Sequence, residues 1–172
     1  MKANLELTEI FQYENSGKVI TREKIDTVTE VFHPGIIIGK DKYGRIWVAH
    51  NHFSNKRPTF DLFDNFNNSR KPLWDKRKVR FSPEEIVQRA IAEVLKGKKY
   101  TWVNYNCQIF VNLIVRDEHT SEAVDKIADA AMVVAVVTSI LGLIFESKPL
   151  TILGLSTLGI VGGTKGYSRI RR

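Results

Sequence analysis

The sequence predicts an α+β domain with a small antiparallel sheet and helices, followed by a C-terminal hydrophobic helical tail. Two runs rich in β-branched and aromatic residues, 31–39 and 45–50, flank the turn-forming KDKYG, which is typical of a β-hairpin. The stretch FSPEEIVQRAIAEVLKG repeats its apolar residues with the period of an amphipathic helix. From residue 127 onward the chain is largely apolar. We therefore divide it into a domain at 1–126 and a tail at 127–172.

The composition is that of a globular chain with one domain and an appendage. Its 172 residues are 43% apolar and 26% charged, with a formal net charge of +7. The single cysteine excludes an intrachain disulfide and fits a reducing compartment. Residues 1–17 hold scattered carboxylates and no apolar core, so we expect no signal peptide. The charge favours an anionic phospholipid partner, and because neither part of the chain is strongly basic we expect no nucleic-acid partner.

Two segments outside the hairpin are polar. Residues 1–30 predict a short strand or irregular structure, and residues 51–80 predict a long exposed loop with short strand pieces. The loop ends in RKPLWDKRKVR, which suits a lipid headgroup interface at about 1 kcal/mol per basic residue. A solvated loop is an equal alternative. The candidate membrane-contact residues are Arg70, Lys71, Trp74, Lys76, Arg77, Lys78 and Arg80.

Two helices are predicted in the second half of the domain. Ser82 is a natural N-cap, followed by Pro83 and by Glu85 in a capping box, and Gly97 ends this helix. A second helix is predicted to begin near Asn106. Its apolar face consists of Ile109, Phe110, Leu113 and Ile114.

The tail contains two apolar runs. Residues 127–145 carry one charge, Asp129, and residues 150–163 carry none. Each run is near or below the length of a transmembrane helix, so we favour a re-entrant hairpin or two short helices turning at 147–149 over a single span. Flanking basic residues indicate a membrane-associated protein whose domain faces the cytoplasm. The alternative, a buried helical pair, is disfavoured because the domain is too small to cover so much apolar helix.

Cys107 is a candidate nucleophile. If Asn106 caps the second helix, Cys107 lies in its first turn, where backbone N–H groups and the helix dipole favour a thiolate. The same region, with Asn106 and Gln108 as candidates, could hold an oxyanion. A lone cysteine before an apolar run is more often a small buried residue, so this pattern alone is weak.

Three histidines strengthen the hypothesis. If KDKYG turns so that Gly39 faces Ile46, strand pairing puts His33 opposite His52, with His50 diagonal to His33. All three then share one face of the hairpin, whereas a slip of one residue would separate them. Unrelated surface histidines near a strand end are the alternative. A cysteine at a helix start and histidines on facing strands match a Cys–His–polar triad, and these residues leave His50 and His52 open as the third member.

These residues also carry a resemblance. HPGIIIG (33–39) followed by IWVAH (46–50) resembles the H-box of the lecithin–retinol acyltransferase-like proteins. NCQIFVN (106–112) is similar to their NC box, and PEEIVQRA (83–90) to the helix that precedes it. The resemblance covers about residues 30–126, with the boxes in the family's order.

The resemblance implies a permuted papain-like fold of the NlpC type, in which the histidine strand precedes the cysteine helix. It implies that Cys107 is the nucleophile, that His33 is general base and then acid, and that His50 orients the imidazole. Family members with a hydrophobic C-terminal segment move an acyl group from a membrane phospholipid to cysteine, and then to water, an amine or an alcohol. We expect no cofactor and no metal ion.

The chain departs from the family pattern in three places. Gln108 and Ile109 stand where the NC box usually has Glu-His, the turn between the histidines is longer, and Val31 replaces a tyrosine that is a possible oxyanion donor. Two other functions stay open: an amidase or peptidase with the same triad, and a non-catalytic membrane protein.

Overall fold

The computed structural model describes residues 10–22, 32–101, 104–144 and 148–170. The expectations for residues 1–9 and 23–30, for Val31 and for the last two basic residues lie outside these ranges. The short strand expected within residues 1–30 is present at Val19–Arg22. The chain divides after Glu118 into two compact units. The first unit contains a sheet and short helices, and the second contains two long helices.

Five strands of the described chain form one antiparallel sheet, in the order β4-β3-β2-β1-β5. The predicted α+β class and small antiparallel sheet are therefore confirmed, and the predicted hairpin is its β2–β3 pair. The strands are β1 (Val19–Arg22), β2 (His33–Lys40), β3 (Ile46–His52), β4 (Arg57–Leu62) and β5 (Leu73–Trp74).

The segment 51–80 is more regular than its composition predicted. It holds β4, β5, a short 3₁₀ helix at Phe53–Asn55 and the first α-helix. Pro58 disfavoured a strand at this point, but β4 lies at the edge of the sheet, where a missing backbone donor is tolerated. The polar composition thus reflects an exposed edge rather than a loop.

The predicted helices form where their end signals lie. The helices are α1 (Phe63–Asn67), α2 (Pro83–Leu95), α3 (Cys107–Arg116), α4 (Glu122–Ile144) and α5 (Lys148–Ile170). The Ser82 hydroxyl accepts from the Glu85 backbone N–H at 3.2 Å, and Gly97 adopts the left-handed conformation after the last turn, with φ of 61°.

Different helices pack on the two faces of the sheet. Strand residues alternate between faces, so Ile36 and Ala49 pack on α2 and α3, whereas Ile37 and Val48 pack on Phe66 of α1. The α2–α3 side is the larger core, because both helices bury one apolar face there. The sheet is thus covered by helices on both sides.

Arg89 of α2 fixes the end of α3. Its guanidinium donates to the carbonyls of Leu113 and Ile114 at 2.8 and 2.9 Å, and to the Asp117 carboxylate at 2.8 Å. The last carbonyls of a helix lack intrahelical partners, so this contact satisfies them from outside. It holds α2 and α3 in one layer.

Asp41 organises the β2–β3 turn. Its carboxylate accepts from the Tyr43 and Arg45 backbone N–H groups, both at 3.0 Å, from the Arg45 side chain at 2.7 Å and from the Trp47 indole at 3.0 Å. Burial opposes its ionisation, but these hydrogen bonds prevail and lower the pKa of Asp41 to about 2.

In the second unit, α4 and α5 form a helical hairpin with small residues along their contact. Ala135 and Ser139 of α4 are buried against Gly154 of α5. A Cβ added at Gly154 would lie 2.6 Å from the Ser139 backbone nitrogen and 2.8 Å from the Ala135 carbonyl oxygen. Only glycine at position 154 therefore permits α4 and α5 to lie this close together.

Large apolar side chains of the hairpin point outward instead. Examples are Val133, Leu143, Ile152 and Ile160, each 64–70% exposed. Within the described ranges, none of the helices is long and apolar enough to cross a membrane. The transmembrane helix considered from sequence is thus not supported.

We predict that Gly154→Val opens the helical hairpin while Gly159→Val does not. The first substitution forces α4 and α5 apart, because its contacts are with backbone atoms that cannot move aside, and overpacking of this kind costs about 1–3 kcal/mol. Gly159 has open space around it and is the matched control. Distances between spin labels on α4 and α5 report the opening. Equal distances in the two variants would contradict the prediction.

Candidate active site

The three histidines of the hairpin lie together, as the register predicted. Ile36 faces Ala49, so three further steps along each strand bring His33 opposite His52. The ring centroid of His33 lies 5.1 Å from that of His50 and 5.0 Å from that of His52. The expectation of one shared face is confirmed.

The turn end of the hairpin differs from the prediction. Gly39 faces Trp47, not Ile46, and the register shifts between Ile37 and Gly39. A β-bulge at this point inserts one extra residue into β2. The predicted turn is displaced by one residue, but the bulge adds one residue to β2. His33 therefore still lies opposite His52, as predicted.

A buried chain of hydrogen bonds runs from His33 through His50 to Asp61. Nε2 of His33 lies 2.9 Å from Nδ1 of His50, and Nε2 of His50 lies 2.8 Å from Oδ2 of Asp61. His33 and His50 are only 1% and 2% exposed. Asp61, on β4, has a half-buried side chain at the outer end of the chain.

His52 has a different set of partners. Its ring packs edge-on against His33, and its Nδ1 accepts from the Ser54 backbone N–H at 3.3 Å and contacts the Ser54 hydroxyl. His50, rather than His52, therefore makes the direct hydrogen bond to His33. The geometry favours His50 as the third residue, the choice that the sequence left open.

Phe66 of α1 covers the two buried histidines. Its ring centroid lies 5.6 Å from that of His33 and 5.3 Å from that of His50. Gly35 makes this possible, because a Cβ there would lie 2.8 Å from the Phe66 ring. The glycine of the HPG sequence thus lets an aromatic ring shield the imidazoles from water.

Cys107 opens α3, as predicted, and is 4% exposed. Asn106 is the N-cap, and its side-chain oxygen accepts from the backbone N–H groups of Gln108 and Ile109 at 2.9 and 3.0 Å. Those two donors are therefore engaged. An oxyanion role for Asn106 and Gln108 stays a prediction, and it needs donors other than these two backbone N–H groups.

Hydrogen bonds bring the segment before Cys107 to the histidine end of the sheet. The side chain of Asn51, between the two β3 histidines, donates to the Tyr105 carbonyl at 2.9 Å. The Tyr100 backbone N–H donates to the Lys56 carbonyl at 2.8 Å, just beyond β3. Both contacts fix the approach to α3 beside the end of β3.

Cys107 has electrostatic interactions with Arg22 and Tyr100. Burial and Arg70 lower the pKa of Arg22, whereas Asp61 and Cys107 act in the opposite direction. Burial raises the pKa of Tyr100, and Cys107 adds to the increase. Because Arg22 faces His33 across the β1–β2 pair, Cys107 and His33 share a charged neighbour.

The basic segment is only partly a free surface. Lys71, Trp74, Lys76, Lys78 and Arg80 are exposed, as a membrane contact requires. Arg77 is not: it pairs with Asp75 and donates to the Asn112 side chain at 2.6 Å, so it links this segment to α3. Arg70 is partly buried and interacts with Arg22.

Sequence reasoning missed Asp61, Arg22 and Asn51. Asp61 lies in the segment predicted as a loop, and Arg22 lies in a short strand without a motif. Asn51 lies between two histidines and was available as a signal, since a polar residue facing the larger core needs a partner. In the described ranges, no group of His, Cys, Asp and Glu has the geometry of a metal site.

Comparison with known proteins adds no assignment: no family model matches the chain, and no curated protein is significantly similar to it. The resemblance to the lecithin–retinol acyltransferase-like group therefore rests on the residues and geometry described above.

We predict that His50→Gln slows alkylation of Cys107 by iodoacetamide at pH 7 by roughly 10²-fold, because His33 loses the hydrogen bond that orients it as a base. His52→Gln should slow it less than about threefold, because His52 lacks the direct bond to His33. Cys107 is the sole cysteine, so the label reports on one site. Equal rates for the two variants would show that the His33–His50 bond does not control thiol reactivity.

Proposed function

We propose that the protein is a cysteine acyltransferase or phospholipase of A type that acts on membrane phospholipids through an acyl thioester. The buried His33–His50 hydrogen bond carries the proposal, since it orients an imidazole at the end of the sheet where Asn51 holds the segment that precedes α3. A helix start favours the thiolate of Cys107 through its dipole. Nucleophile, base and orienting residue are the parts that thiol acyl transfer needs.

The reaction has two stages. His33 takes the proton from the Cys107 thiol, and the thiolate attacks the ester carbonyl of the lipid. The tetrahedral intermediate collapses when His33 returns its proton to the departing alcohol, which leaves an acyl thioester. His33 then takes a proton from water, an amine or an alcohol, which attacks the thioester and restores the thiol.

Chain order supports a permuted papain-like fold as part of this proposal. The histidine strands β2 and β3 precede the cysteine helix α3, and α3 packs on the sheet that holds them. The same arrangement would serve an amidase or peptidase. The apolar hairpin favours a lipid substrate over a peptide.

We propose that the α4–α5 hairpin associates with the cytoplasmic face of the membrane by entering the lipid without spanning it. Its outward residues are large and apolar, and its contact is made of small ones, the pattern of helices packed in lipid. Its hydroxyls are satisfied internally: Thr138 donates to the Val134 carbonyl at 2.8 Å, and Thr157 donates to the Leu153 carbonyl at 2.8 Å. Because these hydroxyls bond to carbonyls of their own helix, they require no hydrogen bonds with water.

Incubation of the full chain with phosphatidylcholine vesicles tests the chemistry. We expect release of fatty acid and a mass increase of one acyl group on Cys107. Cys107→Ala should abolish both, and His33→Gln should reduce the rate about 10²–10⁴-fold. His119→Gln is the control, because His119 lies in the second unit.

An active Cys107→Ala protein would exclude the thioester mechanism. Acylation of Cys107 by a peptide amide but not by phospholipid would favour the amidase alternative. An intact function in cells with Cys107→Ala, lost when the hairpin is removed, would favour a non-catalytic membrane protein.

Vesicle flotation tests the membrane contact. We expect Val133→Lys to weaken binding at least tenfold, because a lysine within the hydrocarbon costs about 2.5–3.5 kcal/mol. Leu95→Lys is the control: Leu95 is equally exposed, at 68%, but lies at the end of α2 in the other unit. Equal loss in both variants would indicate a general charge effect, and no loss in either would exclude the hairpin as the anchor.

A further inference from the structure

We infer that Asp61 is a positioning residue that sets the tautomers of both buried histidines, so that Nδ1 of His33 is the nitrogen that receives the cysteine proton. The inference rests on the proposed function and deepens it. It assigns a role to a carboxylate that lies outside the Cys–His–His triad.

The argument follows the donors and acceptors along the chain. A carboxylate can only accept, so the Asp61 contact requires the proton of neutral His50 to be on Nε2. Nδ1 of His50 then carries a lone pair. It accepts at 2.9 Å from Nε2 of His33, which must carry the proton of neutral His33.

The remaining nitrogen of His33 follows from this chain. With its proton on Nε2, neutral His33 has its lone pair on Nδ1, and that nitrogen can act as the base. If the Asp61 contact were lost, His50 could move its proton to Nδ1. His33 would then have to accept at Nε2 and would carry its proton on Nδ1, the wrong nitrogen for the reaction.

The carboxylate also compensates the charge that forms. When His33 takes the thiol proton it becomes an imidazolium, which donates from Nε2 to His50, and His50 donates to Asp61. The proton stays on His33, and both hydrogen bonds keep their direction. The two rings are buried and Asp61 is half-buried, so solvent screens part of its charge and the direct bond to His50 carries the effect.

Asp61 is well placed to act through His50. Its Oδ2 lies 2.8 Å from Nε2 of His50, while its side chain is 36% exposed. The guanidinium of Arg22 interacts with the Asp61 carboxylate and with Cys107. Asp61 therefore sits at the outer end of the hydrogen-bonded chain and contacts His33 only through His50.

The test compares Asp61→Asn with Asp64→Asn in the full chain. Both remove one carboxylate, but Asp64 is exposed in the first turn of α1. Nitrogen-15 NMR of the histidine rings at pH 7.5 should show Nε2–H on His33 and His50 in the wild type and in Asp64→Asn. In Asp61→Asn the His50 tautomer should change or become mixed, because an amide can also donate.

We expect kcat to depend on the tautomer of His50. We expect kcat of Asp61→Asn to fall about 10²–10⁴-fold with little change in KM, since Asp61 does not contact the lipid in this scheme. Asp61→Glu, which keeps an acceptor-only group, should recover the wild-type tautomer and part of the rate. A role limited to stability would instead lower the unfolding temperature without changing the tautomers.

Four results separate the possible failures. An Nδ1–H tautomer on wild-type His50, or an unchanged His50 tautomer in Asp61→Asn, would overturn the role of Asp61. A normal rate in Asp61→Asn despite a changed tautomer would also overturn it. Absence of any Cys107 thioester in the wild type, with the predicted tautomers present, would instead reject the proposed acyl transfer.

Discussion

The hydrogen bond from Asn51 to the Tyr105 carbonyl is the constraint on which the site depends. Asn51 is fully buried on β3 between the two histidines of that strand, and Tyr105 lies two residues before Cys107. Together with the Tyr100–Lys56 backbone hydrogen bond, this side chain fixes the segment before α3 beside the end of β3. The position of Cys107 thus depends in part on a buried amide.

The sequence was informative wherever a signal is local. Caps and periodicity predicted α2 and α3, because Ser82, Asn106 and Gly97 act within their own helix turns. The histidine face was also predictable, since alternation along a strand is a local rule. The predicted turn was wrong by one residue, and the bulge in β2 compensated for that error. A bulge depends on what both strands pack against and leaves little trace in the sequence.

Contacts between distant segments could not be predicted. Asp61 reaches His50 only because β4 pairs with β3, and its segment looked like a loop. Arg77 was grouped with surface cations by composition, but Asp75 and Asn112 hold it against α3. The His50–Asp61 and Arg77–Asn112 contacts are therefore set by packing rather than by neighbours in the chain.

The edges of the sheet have a consequence for self-association. Pro58 interrupts the donors of β4 at one edge, and β5 is only two residues long at the other. Exposed edges recruit strands from other chains when they are long and carry uninterrupted donors and acceptors. Within the described ranges, neither edge offers such a template. Copies of the chain that meet at high concentration therefore have little exposed backbone through which to form intermolecular β-pairs and aggregate.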